Sequence, residues 1–494
     1  MPNLKDIIKP CLIDIALFCE YTSLLTLRSY QVQVARAVLD SVIRHKGLSI
    51  VVMFPRQSGK NELQAHIETF LLTLLQNTQA EVVQISPTWK PQSINAMHRL
   101  QRVLERNLLV GSCWSKNAGY IYQIGTARII FLSGDPEANI VGATASTLLS
   151  IDEAQDIQIA KYDKDIAPMA ASTNATRVFW GTAWTNKTLL ARERRNALAA
   201  EQADGVQRVF VLDADQVAKE VPAYGAFVAG QIANMGRNHP MVKSQFYSEE
   251  IDAEGTFFSA ARISLIKGDH PPQVTPINGH VYAFCIDVAG EDEATETDLR
   301  HDATTLTIVD VDLSPLQDEL VNKPVYRVVG RQEWQGEDHV VIYNQIKALV
   351  DHWDPRYLVI DATGIGAGLA SFLDTAFPHK VIPFIFSSAS KSKLGWNFLS
   401  AIETGRFKDF APGDRLQDKF FKQLEFVVQS VAAGPGHLLS WSVPDGSRDP
   451  ENGDLVHDDL VISAALCTVL DERSWGRAVS EVIAPVDPLE MLRW

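Results

Sequence analysis

The chain has 494 residues, more than one hydrophobic core usually accommodates, so we expect two domains of ordinary size. Its formal net charge of -15 has the wrong sign for a protein that coats nucleic acid passively, and any DNA contact must be local or metal-assisted. No apolar run reaches the roughly 18 to 20 residues of a membrane span, the N-terminus lacks the plan of a signal peptide, and the five cysteines show no C-x-x-C spacing. These features argue against a membrane helix, a zinc site and a disulfide framework, and we expect a cytoplasmic protein.

The first part of the chain alternates strand-like and helical patterns between about residue 28 and residue 185. This rhythm is typical of a mainly parallel α/β sheet. The regular alternation stops after residue 190. The strand-like runs are, in order, SIVVMF, EVVQISP, ARIIFLS, TLLSIDE and TRVFWGT.

The run SIVVMF leads directly into PRQSGKNE and then into a helical pattern, which is the strand, loop and helix context of a phosphate-binding loop. Gly59 lets the backbone approach phosphate oxygens, and Lys60 places a positive charge between the β and γ phosphates. The match is imperfect, because Phe54 stands where the first glycine would be and Asn61 where a magnesium-binding hydroxyl would be. An ordinary helix start is the alternative interpretation.

A second motif, STLLSIDEAQD, places two acids at the end of an apolar strand. Asp152 there would hold magnesium, directly or through water, beside the phosphate loop. Glu153 would polarise the attacking water as general base, a step that hydrolysis needs and simple nucleotide binding does not. The alternative is an acidic helix cap after a buried strand.

Two weaker signals accompany these motifs. The run RVFWGTAW ends a strand with small residues, Gly181–Ala183, that could sense the γ phosphate and transmit its loss. Tyr30 and Gln31 precede a helix and could contact adenine by stacking and amide hydrogen bonding, although an ordinary helix start explains them equally well.

The second half of the chain begins, after a turn-rich connector, with three strand patterns followed by alternating helix and strand patterns. This is the order of the ribonuclease H-like fold. We therefore predict an α/β protein with an N-terminal P-loop NTPase domain and a C-terminal ribonuclease H-like nuclease domain. The predicted boundaries are residues 1–250 for the ATPase, 251–276 for the connector, 277–473 for the nuclease and 474–494 for a tail.

Acids in this second half occur at two strand ends and one helix start. Asp287 ends FCID and Asp361 ends YLVID, while His457, Asp458 and Asp459 are expected in the first turn of a helix. Crowded carboxylates require cations, and hard oxygen ligands suit Mg²⁺ or Mn²⁺. We predict a two-metal phosphodiester site from Asp287, Asp361 and one of the two adjacent acids, with Asp459 slightly favoured. Single acids at strand ends often only cap loops.

Other residues could assist this site. Asp302 could approach the same metals, or be a turn residue. The basic and aromatic segment after residue 387 could supply Lys391, Lys393 and Arg406 to DNA phosphates, with Trp396 packed nearby. A solvated, partly buried helix is the alternative.

Four motifs together, PRQSGK, ISPTW, IDEAQ and GTAW, resemble those of the large terminase subunit of tailed bacteriophages or prophages, and the resemblance covers essentially the whole chain. It implies a motor that uses ATP to move double-stranded DNA into a procapsid and a nuclease that cuts the DNA. It also implies that Arg56 contacts phosphate and that Gly181–Ala183 couple hydrolysis to movement. The residues expected to bind ATP and its Mg²⁺ are Tyr30, Gln31, Arg56, Gln57, Ser58, Gly59, Lys60, Asn61, Asp152 and Thr182.

The resemblance further implies partners: double-stranded DNA, a portal protein and a small terminase subunit, in the host cytoplasm. The chain is expected to form a homo-oligomeric ring, a pentamer on the procapsid, or to be a monomer in isolation. Such motors draw an arginine from a neighbouring subunit. The candidates here are Arg128, Arg177, Arg192 and Arg194.

Three other functions remain open from the sequence. One is a helicase-like remodelling ATPase without nuclease activity, which metal-dependent cutting would exclude. Another is a recombination nuclease or resolvase with a decayed P-loop, although retention of both Asp152 and Glu153 argues against decay. A non-enzymatic capsid or portal docking module would leave both acidic sites unexplained.

Overall fold

A computed structural model describes residues 4–140, 142–289, 303–318, 320–432, 438–450 and 453–475. Asp302 and most of the predicted tail lie outside these residues. The described residues fall into two compact units that are discontinuous in sequence. The first takes those within Met1–Leu265, Ser387–Thr404 and Phe421–Asp458, and the second those within Ile266–Phe386, Gly405–Phe420 and Asp459–Trp494.

The helices are α1 Leu4–Ile13, α2 Ile15–Thr22, α3 Ser29–Ile43, α4 Lys60–Leu74, α5 Ile94–Arg106, α6 Ile159–Lys161, α7 Leu189–Asp204, α8 Ala214–Glu220, α9 Pro222–Met235, α10 Pro240–Tyr247, α11 Ala260–Ile266, α12 His339–Trp353, α13 Gly366–Ala376, α14 Ser388–Glu403, α15 Arg415–Phe426 and α16 Asp459–Ala465. The strands are β1 Ser49–Met53, β2 Glu81–Ser86, β3 Trp114–Asn117, β4 Ile121–Ile124, β5 Ala127–Ser133, β6 Leu148–Ile151, β7 Thr176–Gly181, β8 Val209–Val211, β9 Glu254–Thr256, β10 Tyr282–Asp287, β11 Ala303–Asp312, β12 Val325–Gln335, β13 Tyr357–Asp361, β14 Val381–Phe384, β15 Phe407–Lys408, β16 Val428–Val431 and β17 Leu439–Ser442. In the described part of the chain, the longest apolar helices are too short to cross a lipid bilayer.

An eight-stranded sheet in the order β3-β4-β5-β2-β6-β7-β1-β8 forms the centre of the first unit. All its neighbouring pairs are parallel except those that involve the edge hairpin β3-β4. Because β1, β7 and β6 run parallel in adjacent positions, their carboxyl ends meet at one edge of the sheet. The prediction of a mainly parallel α/β sheet is confirmed, and the edge hairpin adds two strands that the sequence analysis did not identify.

The strand β1 shows why this sheet forms. Its sequence SIVVM is rich in β-branched residues, and four of its five positions are buried. Val52 packs in the core on one face with Leu63 and Phe70 of α4, while Val51 and Met53 pack in the core on the other face. A strand that is covered on both faces needs an uninterrupted run of apolar residues. The end of this run sets the position at which the following loop begins.

A small antiparallel sheet in the order β17-β16-β9 completes the first unit together with α14. The indole nitrogen of Trp441 in β17 donates to the carbonyl of Lys391 in α14 at 2.8 Å. A Cβ at Gly395 would overlap the Trp441 ring, so only glycine lets the helix pack this closely on the strand.

The second unit contains a six-stranded sheet in the order β14-β13-β10-β11-β12-β15. The strands β10, β11 and β12 are antiparallel neighbours, and β13 and β14 continue the sheet in parallel to β10. This order of three antiparallel strands followed by parallel ones confirms the predicted ribonuclease H-like fold. The helix α16 packs on β10, where the hydroxyl of Ser463 donates to the carbonyl of Cys285 at 2.9 Å.

A buried ion pair joins β12, near one edge of this sheet, to the segment after β15. The guanidinium of Arg331 in β12 donates to both carboxylate oxygens of Asp409, at 3.1 and 2.7 Å, and both side chains are fully buried. The ring of Phe420 lies 4.2 Å from the same guanidinium. Such a pair fixes geometry, and removal of one partner would leave a buried charge without its counterion.

Candidate active sites

The loop between β1 and α4 has a backbone conformation that could accommodate a phosphate group. Gly59 adopts a positive φ of 91°, which glycine accepts without strain, and α4 begins at the next residue with its amides directed at the loop. The backbone amide of Arg56 donates to the carbonyl of Gln245 in α10 at 2.9 Å, and the hydroxyl of Ser58 donates to the Pro55 carbonyl at 2.7 Å. The loop is therefore held by one bond to α10 and by one bond within itself.

Residues at the start of α3 hold the same loop. The hydroxyl of Tyr30 donates to the Ser58 carbonyl at 2.8 Å, and the side-chain amide of Gln31 donates to the Gly59 carbonyl at 3.0 Å. Arg28, which the sequence analysis missed, donates to the Ser58 carbonyl at 2.9 Å. Tyr30 and Gln31 are therefore beside the predicted nucleotide site, and their contact with adenine stays a prediction.

The two acids after β6 lie opposite this loop. Nζ of Lys60 is 3.0 Å from Oε1 of Glu153, and the side-chain amide of Gln155 donates to Oε2 of Glu153 at 2.8 Å. Glu153 has a positive φ of 44°, a conformation that a non-glycine residue adopts only when its surroundings impose it. Both oxygens of the candidate general base are thus engaged.

The electrostatics of this pair follow from burial and from Lys60. Burial acts to raise the pKa of Glu153, but the neighbouring Lys60 ammonium and the hydrogen bond from Gln155 outweigh it and hold this pKa below its usual value. Burial and the charge of Glu153 raise the pKa of Asp152 to about 6. Gln64, one turn after Lys60, donates to Oδ1 of Asp152 at 3.0 Å.

Gln155 also connects this acid to the end of β7. Its Oε1 accepts a hydrogen bond from the backbone amide of Thr182 at 3.2 Å, and a Cβ at Gly181 would overlap the same oxygen. Since β7 lies between β1 and β6, the segment predicted to sense the γ phosphate sits between the loop and the acids. Gln155 stands within the IDEAQ motif, but nothing in the sequence identified its partner.

Two cavities open at this sheet edge. One of about 240 Å³ is lined by Arg56, Asn61, Asp152, Glu153, Asp156 and Thr182 among others. The other, of about 640 Å³, continues along the loop and is lined by Gln57, Gly59, Lys60, Asn61, Phe227 and Phe246 among others. Their combined size suits a nucleotide.

These residues fit ATP with magnesium. The loop amides and Lys60 suit phosphate, and the carboxylate of Asp152 with the neutral side-chain oxygen of Asn61 is a hard-oxygen donor set of the kind Mg²⁺ prefers. Arg56 is exposed and lines both cavities, where it could contact a terminal phosphate.

The candidate trans-acting arginines are largely paired within the first unit. Two guanidinium nitrogens of Arg128 donate to the same oxygen, Oε2, of Glu81, whereas Arg192 forms a bidentate pair with Asp163 at 2.8 Å for both bonds. Arg194 is 3.2 Å from Glu250, and Arg177 is part of β7.

The second acidic site begins with two neighbouring strands. Ile286 pairs with Ile360 in parallel register, so that Asp287 and Asp361, each the next residue, end adjacent strands at the same edge. Burial raises the pKa of Asp361, partly offset by the hydrogen bonds from Thr363. A Cβ at Gly366 would overlap the Asp361 carbonyl, so glycine permits this tight turn.

Asp459 joins this edge through β11. Thr305 pairs with Asp287 in the sheet, and the Thr305 hydroxyl donates to the Asp459 carbonyl at 3.0 Å. The carboxylate of Asp459 accepts the amide of Ala303 at 3.2 Å. The first residue of α16 is thereby held beside the strand that carries Asp287.

The neighbouring acid behaves differently. Asp458 belongs to the first unit, where its carboxylate lies 3.9 Å from Nζ of Lys391. The expected clustering of His457, Asp458 and Asp459 in a first helical turn is not seen, because α16 begins only at Asp459.

A divalent cation fits this edge of the second unit. Magnesium is commonly bound by one or two protein carboxylates together with waters and substrate phosphates, which Asp287 and Asp361 can supply. Among the described residues, no group of three or more His, Cys, Asp or Glu side chains is close enough to hold a metal ion on its own. A complete set of ligands would therefore include water or substrate oxygens.

The predicted DNA-contacting residues separate into two groups. Lys393 is exposed on α14, and Lys391 is half-buried. Arg406 is buried in the second unit, where it pairs with Asp471 at 2.9 and 3.0 Å. The prediction that Arg406 contacts DNA phosphates is wrong, because its guanidinium is already bound inside the fold.

Residues 292–456 match the family model described as the terminase RNaseH-like domain. The chain carries a terminase ribonuclease H-like domain. This match confirms the resemblance to terminases that the motifs indicated, and it includes Asp361 but ends before Asp459 and begins after Asp287. Metal ligation by these three acids stays a prediction.

Other similarities accompany the terminase ribonuclease H-like domain. Over 83 residues the chain is 29% identical to the probable terminase, ATPase subunit, of Haemophilus phage HP1, a stretch that spans 17% of this chain and 14% of that protein. The large terminase of thermophilic bacteriophage D6E is 11% identical with a TM-score of 0.48, over 90% of this chain and 98% of that one. The large terminase nuclease of thermophilic phage G20c is 18% identical with a TM-score of 0.32, over 44% of this chain and 99% of that one.

Proposed function

We propose that the chain is the large subunit of a viral DNA-packaging motor, which couples ATP hydrolysis to translocation of double-stranded DNA into a procapsid and cuts concatemeric DNA. The observation that carries this proposal is the arrangement of Lys60, Glu153 and Thr182 at one sheet edge, linked by side-chain hydrogen bonds. The terminase ribonuclease H-like domain in the same chain supplies the cutting activity.

In the ATPase reaction the loop amides and Lys60 would bind the β and γ phosphates, and Asp152 with Asn61 would hold Mg²⁺, which neutralises phosphate charge. Transfer of Lys60 to phosphate removes the cation from Oε1 of Glu153. That oxygen can then accept a proton from the attacking water. The exposed Arg56 would stabilise the negative charge that develops on the phosphate.

Coupling would pass through Gln155. The side-chain amide of Gln155 donates to Glu153, and its oxygen accepts from the backbone amide of Thr182. If the carboxylate of Glu153 moved to a new partner, Gln155 would have to move with it or lose its bond to it. A change in the hydrogen bonds of Glu153 would therefore alter the hydrogen bond that Gln155 makes with the end of β7. This physical link supports the role of Gly181–Ala183 as the coupling segment.

In the nuclease reaction Asp287, Asp361 and Asp459 would hold two Mg²⁺ or Mn²⁺ ions, which supply an activated water and stabilise the leaving oxygen. The chain contributes the fixed positions of these acids at the ends of two strands and the start of one helix. The exposed Lys393 would contact DNA phosphates.

The proposed partners are double-stranded DNA, a portal protein and a small terminase subunit, with a pentameric ring on the procapsid in the host cytoplasm. One of the paired arginines would then exchange its carboxylate for the phosphate of a neighbouring subunit. Because Arg128 and Arg192 each form two short bonds within the chain, that exchange would require a partner acceptor of equal strength.

The alternative that the sequence left open is a remodelling ATPase without nuclease activity. Plasmid linearisation by the purified protein with Mn²⁺ or Mg²⁺ separates the two, with Asp361→Ala as the variant and ATP hydrolysis measured alongside. Cutting lost in the variant while hydrolysis persists supports the packaging enzyme; metal-independent cutting, or equal cutting by the variant, would favour the remodelling ATPase.

A further inference from the structure

The larger cavity along the phosphate loop has one wall that no catalytic role accounts for. This wall consists of Phe227 and Gln231 of α9 and Phe246 of α10, and it faces the same space as Gly59 and Lys60. At about 640 Å³ the cavity exceeds what a triphosphate alone would fill. The rest of a nucleotide would extend from the loop toward these helices.

The aromatic part of this wall is open to a ligand. Phe227 is 43% exposed, although its ring packs edge-on against the buried Phe246 with centroids 5.9 Å apart. The ring of Tyr224 also lies near it, with centroids 6.4 Å apart. A phenyl ring that its neighbours hold in place while it stays partly exposed can act as a stacking platform, because every base offers a π face.

The polar part of the wall is equally available. Gln231 lies one helical turn after Phe227, on the same face of α9. In the part of the chain that the structure describes, its side-chain amide makes no hydrogen bond and is half-buried at the cavity. A glutamine amide offers one donor and one acceptor, which match the N6 and N7 edge of adenine, whereas guanine presents two acceptors there.

The wall is held at a fixed place relative to the phosphate site. The amide of Arg56 in the loop donates to the Gln245 carbonyl, next to Phe246, at 2.9 Å. Arg99, on the cavity wall near the first turn of α4, is engaged by Glu62 at 2.8 Å. By contrast, Tyr30 and Gln31 are 8% and 5% exposed and donate to loop carbonyls.

We propose that Phe227, Gln231 and Phe246 form the base-binding subsite of the nucleotide site, with Phe227 stacked on adenine and Gln231 reading its edge. This inference rests on the proposed ATPase function and deepens it by locating the source of adenine specificity. Tyr30 and Gln31 then act by holding the loop, while α9 and α10 recognise the base.

Equilibrium binding of AMP-PNP, GMP-PNP and inorganic tripolyphosphate, each with Mg²⁺, tests the subsite. Phe227→Ala is expected to weaken AMP-PNP binding about tenfold and to leave tripolyphosphate binding unchanged, with Phe227→Trp restoring affinity. Gln231→Ala should remove the preference for AMP-PNP over GMP-PNP. Phe372→Ala, which truncates an exposed ring of the second unit, is the control and should change none of the three.

The outcomes separate the two proposals. If Phe227→Ala and Gln231→Ala leave both nucleotide affinities unchanged, or reduce tripolyphosphate binding equally, the base subsite is overturned while nucleotide binding stands. If the wild-type protein binds neither nucleotide nor tripolyphosphate, the ATPase proposal fails and the subsite fails with it. A loss confined to the nucleotides supports the subsite.

Discussion

Nζ of Lys60 lies 3.0 Å from Oε1 of Glu153, so the candidate phosphate-binding cation and the candidate general base form an ion pair. In the proposed ATPase reaction, a phosphate that binds Lys60 would compete with this pair and free the carboxylate, so that one exchange of partners would join phosphate binding to activation of the base.

Glu153→Gln should separate binding from hydrolysis. The amide is isosteric and can still accept from Lys60, but it cannot take a proton, so we expect ATP affinity within about threefold of wild type and hydrolysis lowered about 10²- to 10⁴-fold. Lys60→Ala should lose ATP binding as well. Calorimetric binding and steady-state phosphate release measure the two; a Glu153→Gln protein that hydrolyses normally would contradict the assignment.

Gln155→Leu tests the link to β7. The variant keeps the volume but loses the hydrogen bonds to Glu153 and Thr182, so we expect kcat to fall about tenfold with little change in ATP affinity. Stimulation of hydrolysis by DNA should fall further. The matched control is Gln158→Leu, an exposed residue with no side-chain cap bond. Equal effects of both variants would show that Gln155 has no special role.

Asp361→Asn tests the second site with minimal change of shape. A neutral amide binds a divalent cation more weakly, so we expect DNA cleavage to fall at least about a hundredfold while ATP hydrolysis stays near wild type. Asp374→Asn on the exposed face of α13 is the control. Cleavage that survives in Asp361→Asn would remove this residue from the metal site.

Asp409→Asn tests the buried ion pair of the second unit. It leaves the guanidinium of Arg331 without its counterion in a fully buried position, so the free energy of unfolding should fall by about 3 to 5 kcal/mol. Replacement of both residues, Arg331→Met with Asp409→Leu, should recover much of the loss. Denaturant unfolding followed by fluorescence measures both; a single variant as stable as wild type would contradict the account.

The stability of the first unit should depend on pH through His239. Burial lowers the pKa of this imidazole to about 4, even though it bonds the Trp396 carbonyl, so the folded state keeps it neutral. In the unfolded chain the imidazole has the ordinary pKa of 6.5 and takes up a proton near that pH. The neutral, buried imidazole therefore makes its full contribution to stability only above pH 6.5. As the pH falls from 6.5 toward 4, up to about 3 kcal/mol should be lost.

The variant that isolates this effect is His239→Asn, which retains an N-terminal cap for α10 but does not titrate. Its melting temperature should fall less steeply than that of the wild type over the same pH range. Parallel slopes for the two proteins would assign the acid sensitivity to other groups.

The positions of many candidate site residues could be predicted from local sequence. The phosphate loop depends on a strand, a glycine and a helix start that follow one another within residues 49–74, and α4 does begin at Lys60. The strand-end positions of Asp287 and Asp361 likewise follow from the short apolar runs before them.

Contacts between distant segments could not be predicted in this way. The role proposed for Gln155 depends on its hydrogen bond with Thr182. Arg406 does not contact DNA as predicted because it pairs with Asp471, which lies far along the chain. The adjacent acids Asp458 and Asp459 have the same local pattern. They are distinguished only by their contacts, because Asp459 bonds to β11 whereas Asp458 lies near Lys391.

The measurement closest to the central claim is packaging of pre-linearised double-stranded DNA into portal-bearing procapsids, scored as DNA protected from added nuclease. Linear DNA needs no cutting, so Asp361→Asn should package it with ATP as wild type does, while Glu153→Gln should protect none. If Glu153→Gln packages normally, or if the wild type protects DNA without ATP, the chain is not an ATP-driven packaging motor.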